Sequence, residues 1–132
     1  MSEKPKAVVL LSGGMDSCVT AAIAHQTHRL ALVHASYGQR TERRERRAFE
    51  EIADFYGVSE RLVVRLEHFA QIGGSALTDL RIPVPERELE PAAGRGRAIP
   101  ATYVPFRNAH FLSVAVSWAE VIGASSVFIG AV

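Results

Sequence analysis

The strongest constraint on the fold is one short segment, an unbroken apolar run at residues 7–11 that ends in Ser12, Gly13 and Gly14. Bounded by Pro5 on one side and a glycine pair on the other, and rich in valine and leucine, it suits a strand buried on both faces, as parallel sheets require. Residues 16–28 follow, rich in alanine and free of glycine and proline, which predicts a helix with mostly apolar surroundings. The chain therefore opens on strand, glycine turn and helix.

The same alternation continues. Residues 30–35 form a second apolar strand, 36–39 are turn residues, and 41–56 read as a helix. The apolar face of that helix is Phe49, Ile52, Ala53 and Tyr56, with Gly57 as its stop. Residues 61–66 give a third strand, and β-α-β-α-β argues for a parallel sheet covered by helices on both faces. From 67 to 104 the glycines at 73, 74, 94 and 96 and the prolines at 83, 85, 91 and 100 interrupt every period, and a long mobile loop or lid is expected. Regularity returns as a helix over 108–122, stopped by Gly123, and a fourth strand starts at 127–129.

On that last helix His110, Ser113, Ser117 and Glu120 form one stripe. The rest is a wide apolar arc including Phe111, Leu112, Ala115, Trp118, Ala119 and Ile122, serving the core alone or the core and a subunit interface, of which the core alone is the simpler. The expected fold class is α/β: a single domain over 1–132 with an open, mostly parallel sheet of about four strands. Sheets of this kind continue beyond a last strand that would otherwise be a bare edge, so the domain is expected to be C-terminally incomplete.

Length and charge bound the function. A chain of 132 residues buries a core without disulfides, and 15 Lys and Arg against 14 Asp and Glu leave a net charge of +1, no general argument for nucleic acid or an anionic membrane. The single cysteine, Cys18, excludes an internal disulfide and cannot by itself build a four-thiolate zinc site. The polar N-terminus and short apolar run fit neither a signal peptide nor a membrane span, so a cytoplasmic protein is expected.

The glycine turn carries the chemistry. Two glycines after a buried strand let backbone N–H groups approach an anion, Ser12 and Ser17 add hydroxyls, and the following helix directs its positive end at the same place. Phosphate binding and a plain turn are both open on this evidence. Asp16 either caps the helix or holds Mg²⁺ against phosphates. The segment lacks the lysine of the common P-loop and is not the G-x-G-x-x-G pattern.

The whole string Leu11-Ser12-Gly13-Gly14-Met15-Asp16-Ser17 resembles the S-G-G-x-D-S signature of the N-type ATP pyrophosphatases. The resemblance implies an adenine nucleotide alpha hydrolase-like, Rossmann-like fold and cleavage of ATP between its α and β phosphates, after a substrate oxygen attacks the α phosphorus. Residues 11–18, Cys18 included, are then the expected ATP-binding segment, and Asp16, Ser17 and Arg107 the expected catalytic residues.

Three further segments, Tyr37-Gly38-Gln39-Arg40, Ser75-Ala76-Leu77-Thr78 and Thr102-Tyr103-Val104-Pro105-Phe106-Arg107-Asn108, resemble the 7-cyano-7-deazaguanine synthases, over about residues 6–132. That family implies an ATP-dependent ligase acting on 7-carboxy-7-deazaguanine and ammonia in queuosine biosynthesis. Its cofactors would be ATP with Mg²⁺ at Asp16, and its form a homodimer. By the same resemblance Arg107 lies near phosphates or the substrate carboxylate, and Tyr37 and Gln39 contact substrate or serve only the loop. Asn108 is a helix cap or a ligand contact.

Family members are longer and bind structural zinc through a cysteine cluster beyond the last strand, and none of those cysteines is in this chain. A nucleotide-binding module without turnover is therefore an alternative, and a tRNA-thiolating pyrophosphatase another.

The basic run Arg40, Arg43, Arg44, Arg46 and Arg47, interleaved with Glu42 and Glu45, reads better as a solvated helix face than as a tRNA patch. His25, His28, His34, His68 and His110 show no metal-ligand spacing. Cys18 reads as a small buried side chain.

Overall fold

The computed structural model describes residues 4–12, 14–72 and 107–130. Their elements run β1 (Lys6–Leu10), α1 (Met15–His25), β2 (Arg29–Ser36), α2 (Glu42–Tyr56), β3 (Arg61–Arg65), α3 (His68–Ile72), α4 (Arg107–Ile122) and β4 (Ser126–Ile129). The four strands form one sheet in the order β3-β2-β1-β4, every pair parallel. Open α/β architecture with helices on both faces is what the sequence pattern required.

Side-chain alternation assigns the two faces. Val8 and Leu10 of β1 join Ala31, Val33 and Ala35 of β2 in a core closed by Phe111, Ala115 and Ala119 of α4. Val9 and Leu11 join Leu30 and Leu32 in a second core closed by Ala21 and Ala24 of α1 and Phe49 and Ala53 of α2. Central strands buried on both faces explain the unbroken apolar runs of β1 and β2, since neither side of the pleat faces water. The outer strands β3 and β4 are only half-buried.

Right-handed crossovers explain which helix lies where. From β1 through α1 and α2 to β3 the sheet grows in one direction, placing both helices on one face; β4 joins β1 on the other side, placing α4 on the opposite face.

The helix after the glycine turn departs from expectation in two respects. It ends at His25 instead of 28, and only Ser17, Ala21 and Ala24 are buried, while Met15, Val19 and Ile23 are exposed. In an alanine-rich helix the small residues face the sheet because they allow close approach, and the larger ones are left outside. Helix α2 keeps its expected stop, with Gly57 at φ 65° closing the last turn in the left-handed conformation. The stretch expected to be irregular from residue 67 begins with α3, and the remainder of 67–104 lies outside the described residues. No helix among the described residues is long and apolar enough to cross a membrane.

Candidate functional site

The strand order reverses at β1, and the carboxyl ends of β1 and β4 border a crevice there, where open α/β sheets bind ligands. A cleft lies there. Leu10, Leu11 and Ser12 line it from the end of β1, Ser17 from α1, Tyr37 from beyond β2, Arg107, Asn108 and Phe111 from α4, and Ile129 and Gly130 from the end of β4. An adjoining hollow shares Ser12, Ser17, Arg107, Asn108 and Gly130, and adds Gly14, Met15 and Asp16.

The loop is shaped by its own hydroxyls. Ser17 Oγ, buried beneath it, donates to the Gly14 carbonyl at 3.0 Å and accepts from Ser12 N–H and from Ser12 Oγ, each at 3.2 Å. Ser12 Oγ accepts from Gly14 N–H at 3.3 Å. Ser17 is thus an internal strut, and Ser12 is the hydroxyl on the exposed side of the loop. Gly13 lies outside the described residues.

Asp16 stands in the first turn of α1, exposed, with no side-chain hydrogen bond or ion pair among the described residues. It does not occupy the cap: that position is Gly14, extended at φ −87° and ψ 172°. It lines the hollow as an exposed residue. Cys18 corrects an expectation, because it is exposed and lines neither hollow. Ser17, Ala21 and Ala24 define the inward stripe, and residue 18 falls off it.

Across the cleft Arg107 Nη1 donates to the Tyr37 hydroxyl at 3.3 Å. Tyr37 is buried against Phe111, with ring centroids 5.6 Å apart. Burial pushes its phenol above the ordinary value of 10.0, the Arg107 charge and hydrogen bond oppose that, and Glu45 adds to it. Asn108 lines the cleft from inside the first turn of α4, since the helix already includes Arg107.

Gln39 is turned away from the cleft. Its Oε1 accepts from Tyr37 N–H at 2.8 Å, and its Nε2 donates to the Ala35 carbonyl at 3.3 Å and to Glu45 Oε1 at 2.9 Å. These bonds fix the turn that presents Tyr37. The structure thus brings together Leu11, Ser12, Gly14, Met15, Asp16, Ser17, Tyr37 and Arg107, and not Gln39 or Cys18. The segments 75–78 and 102–106 lie outside the described residues.

Two lining residues escape the sequence reading. Glu45, grouped there with the solvated face of α2, reaches the cleft between Gln39 and the Thr41 hydroxyl. Gly130 is the other: a Cβ there would stand 2.8 Å from Thr20 Oγ1 and 2.9 Å from the Asp16 carbonyl oxygen. Only glycine lets the end of β4 pass so close to the first turn of α1.

The arginines at 40, 43, 44, 46 and 47 are exposed, as a solvated face requires, and Arg46 meets Glu50 at 3.7 Å. His68 Nε2 and His110 Nδ1 lie 3.0 Å apart, but among the described residues no group of three or more His, Cys, Asp or Glu is placed to hold a metal.

A family model described as "Queuosine biosynthesis protein QueC" matches residues 6–132. The 7-cyano-7-deazaguanine synthase of Chloroherpeton thalassium is 59% identical over 128 residues, 96% of this chain and 54% of that protein. The synthase of Acidobacterium capsulatum is 55% identical over 130 residues, covering 98% and 56%, and that of Koribacter versatilis 54% over 132, covering 96% and 53%. The chain spans about half the length of the curated relatives it matches.

Proposed function

The chain belongs to the queuosine biosynthesis protein QueC family, and from that premise we propose that it is the ATP-binding part of a ligase converting 7-carboxy-7-deazaguanine and ammonia to 7-cyano-7-deazaguanine. AMP and pyrophosphate are the other products. The observation that carries the reading is the convergence of Ser12, Gly14, Asp16 and Arg107 on adjoining hollows at the reversal of strand order, within a segment more than half identical to named synthases.

In this reading a carboxylate oxygen of the substrate attacks the α phosphorus of ATP, the bond from that phosphorus to the bridging oxygen breaks, and pyrophosphate leaves. Charge grows on the leaving group. The positive end of α1, capped by Gly14, opens on the hollow beside it, so it stabilises the transition state more than the ground state. Arg107, with two N–H edges, suits phosphate or carboxylate oxygens. Ammonia then attacks the acyl carbon and AMP departs, leaving an amide. A second ATP activates the amide oxygen, and loss of AMP with the two N–H protons gives the nitrile.

Asp16 would hold a Mg²⁺ ion, since one exposed carboxylate on a residue lining the hollow is the usual protein share of such a site. Bound there, the ion would neutralise phosphate charge. Zinc does not fit these residues: Cys18 is the only cysteine, and no step is assigned to that metal.

The test is incubation of the chain with ATP, Mg²⁺, ammonium and 7-carboxy-7-deazaguanine, followed by mass spectrometry for AMP and the nitrile. Both products are expected. Nucleotide binding without AMP would favour the second reading, a binding module without turnover. A tRNA-thiolating activity has the names of these relatives against it. A cytoplasmic homodimer belongs to the same proposal. Exposed Leu112, Val116 and Val121 on α4 suit a subunit contact, and light scattering tests it.

A further inference from the structure

The buried imidazole of His34 has no part in the reaction described above. It lies on β2, 1% exposed, on the face closed by α2, with its ring 5.4 Å from that of Phe49. Nδ1 is 3.0 Å from the carbonyl oxygen of Leu11, and Nε2 has no hydrogen-bond partner among the described residues. A carbonyl only accepts, so Nδ1–H is the donor in this bond. A buried imidazole with one unpartnered nitrogen is a poor way to fill an apolar core, where leucine would pack without an unsatisfied atom. Its presence calls for a use other than packing.

That use lies in where the bond falls. Leu11 is the last residue before the phosphate loop, and its N–H already donates to the Val33 carbonyl at 2.8 Å. With His34 holding its carbonyl, both polar groups of Leu11 are bonded to β2. The next peptide N–H, that of Ser12, is held by Ser17 Oγ at 3.2 Å. The direction of the Leu11 carbonyl fixes the plane of the peptide that starts the loop, and so the aim of the N–H groups that follow.

We propose that His34 is a positioning residue for the phosphate loop, orienting its first peptide through the Nδ1–H bond to Leu11. The inference rests on the phosphate-binding reading of that loop. It assigns to a residue on a neighbouring strand a share of the anion affinity that it never touches.

The experiment measures binding of inorganic pyrophosphate and of ATP with Mg²⁺ to the full chain by calorimetry, beside amide hydrogen exchange at Ser12 and Gly14 and thermal unfolding. His34→Leu keeps the volume and removes the donor. It should weaken binding about tenfold or more and accelerate exchange at the loop amides, without a matching loss of Tm. His34→Asn, whose side-chain N–H can take the place of Nδ1–H, should restore binding to within about threefold. Phe49→Leu loosens the same packing without touching the bond, and should lower Tm while binding persists. Undiminished binding by His34→Leu, failure of His34→Asn to rescue it, or an equal binding loss in Phe49→Leu would each overturn the inference. Should the unsubstituted chain bind neither pyrophosphate nor ATP, the phosphate reading itself falls, and the inference with it.

Discussion

The two ends of the strands use the same kinds of charged group in opposite ways. At the amino ends, Lys6 Nζ meets Glu60 at 2.7 Å and donates to the Ile122 carbonyl at 3.2 Å, tying β1 to the end of α4. Arg61 there bonds the Val58 carbonyl, Glu50 and Asp54. At the carboxyl ends Arg107 holds one hydroxyl at 3.3 Å among the described residues, and Asp16 holds nothing. A guanidinium with three partners is part of the fold; one with a single long bond, facing a cleft, has donors to give. Bonds already made, more than residue type, separate scaffold from site.

The most direct way to break this contrast is to alter the loop itself. Asp16→Asn should reduce AMP release about a hundredfold or more while Tm stays within a few degrees, and Ser17→Ala, which removes the strut of the loop, should reduce it as far and lower Tm as well, as chromatography and thermal unfolding would check. Full activity in both would remove the carboxyl-end cleft from consideration. Gly130→Val comes next. Its side chain would push the end of β4 off α1, destabilising the chain by about 1–3 kcal/mol in urea titrations and weakening nucleotide binding as well.

The arginine pair sharpens the comparison further. Arg107→Lys should lower ATP affinity about tenfold with little change in Tm, whereas Arg61→Lys should lower Tm and leave affinity alone. Similar effects from both would mean that the two ends are not distinct. The smallest expected effect is at Tyr37. Its phenol is held above 10.0, so the folded chain keeps that proton more tightly than the unfolded one. The stability so gained is complete below pH 10.0 and falls as pH rises through the folded value. Tyr37→Phe should flatten that decline, read from urea midpoints between about pH 9 and about pH 11.

Much of this was legible in the sequence, for particular reasons. The apolar runs of β1 and β2 announce strands buried on both faces because no other role tolerates them. Gly57 marks the end of α2 because a left-handed residue is needed there. Helix α1 was not legible in the same way: alanine on every side gives no phase, so Cys18 was expected inside and Val19 and Ile23 were not expected outside. The loop's serines were recognised as polar partners of an anion, yet burial of one and exposure of the other follow only from the turn of α1. Gln39 has a polar side chain at a strand end, the position of a ligand contact, but the turn it closes consumes its bonds. Gly130 and His34 could not be found from local pattern, because the need for each arises from a segment distant in the chain.

The pairing of β1 with β4 has a consequence for how the chain is made. Residues 6–10 leave the ribosome early and can pair with β2 soon after, but their other edge waits for residues 126–129. Until then the most apolar of the described strands presents an open row of peptide groups. Parallel pairing over such a distance is slow, and an uncovered edge is where chains join one another. The same order of strands that opens the crevice therefore leaves β1 waiting longest, among the described strands, for its second partner, and the growing chain prone to aggregate until β4 arrives.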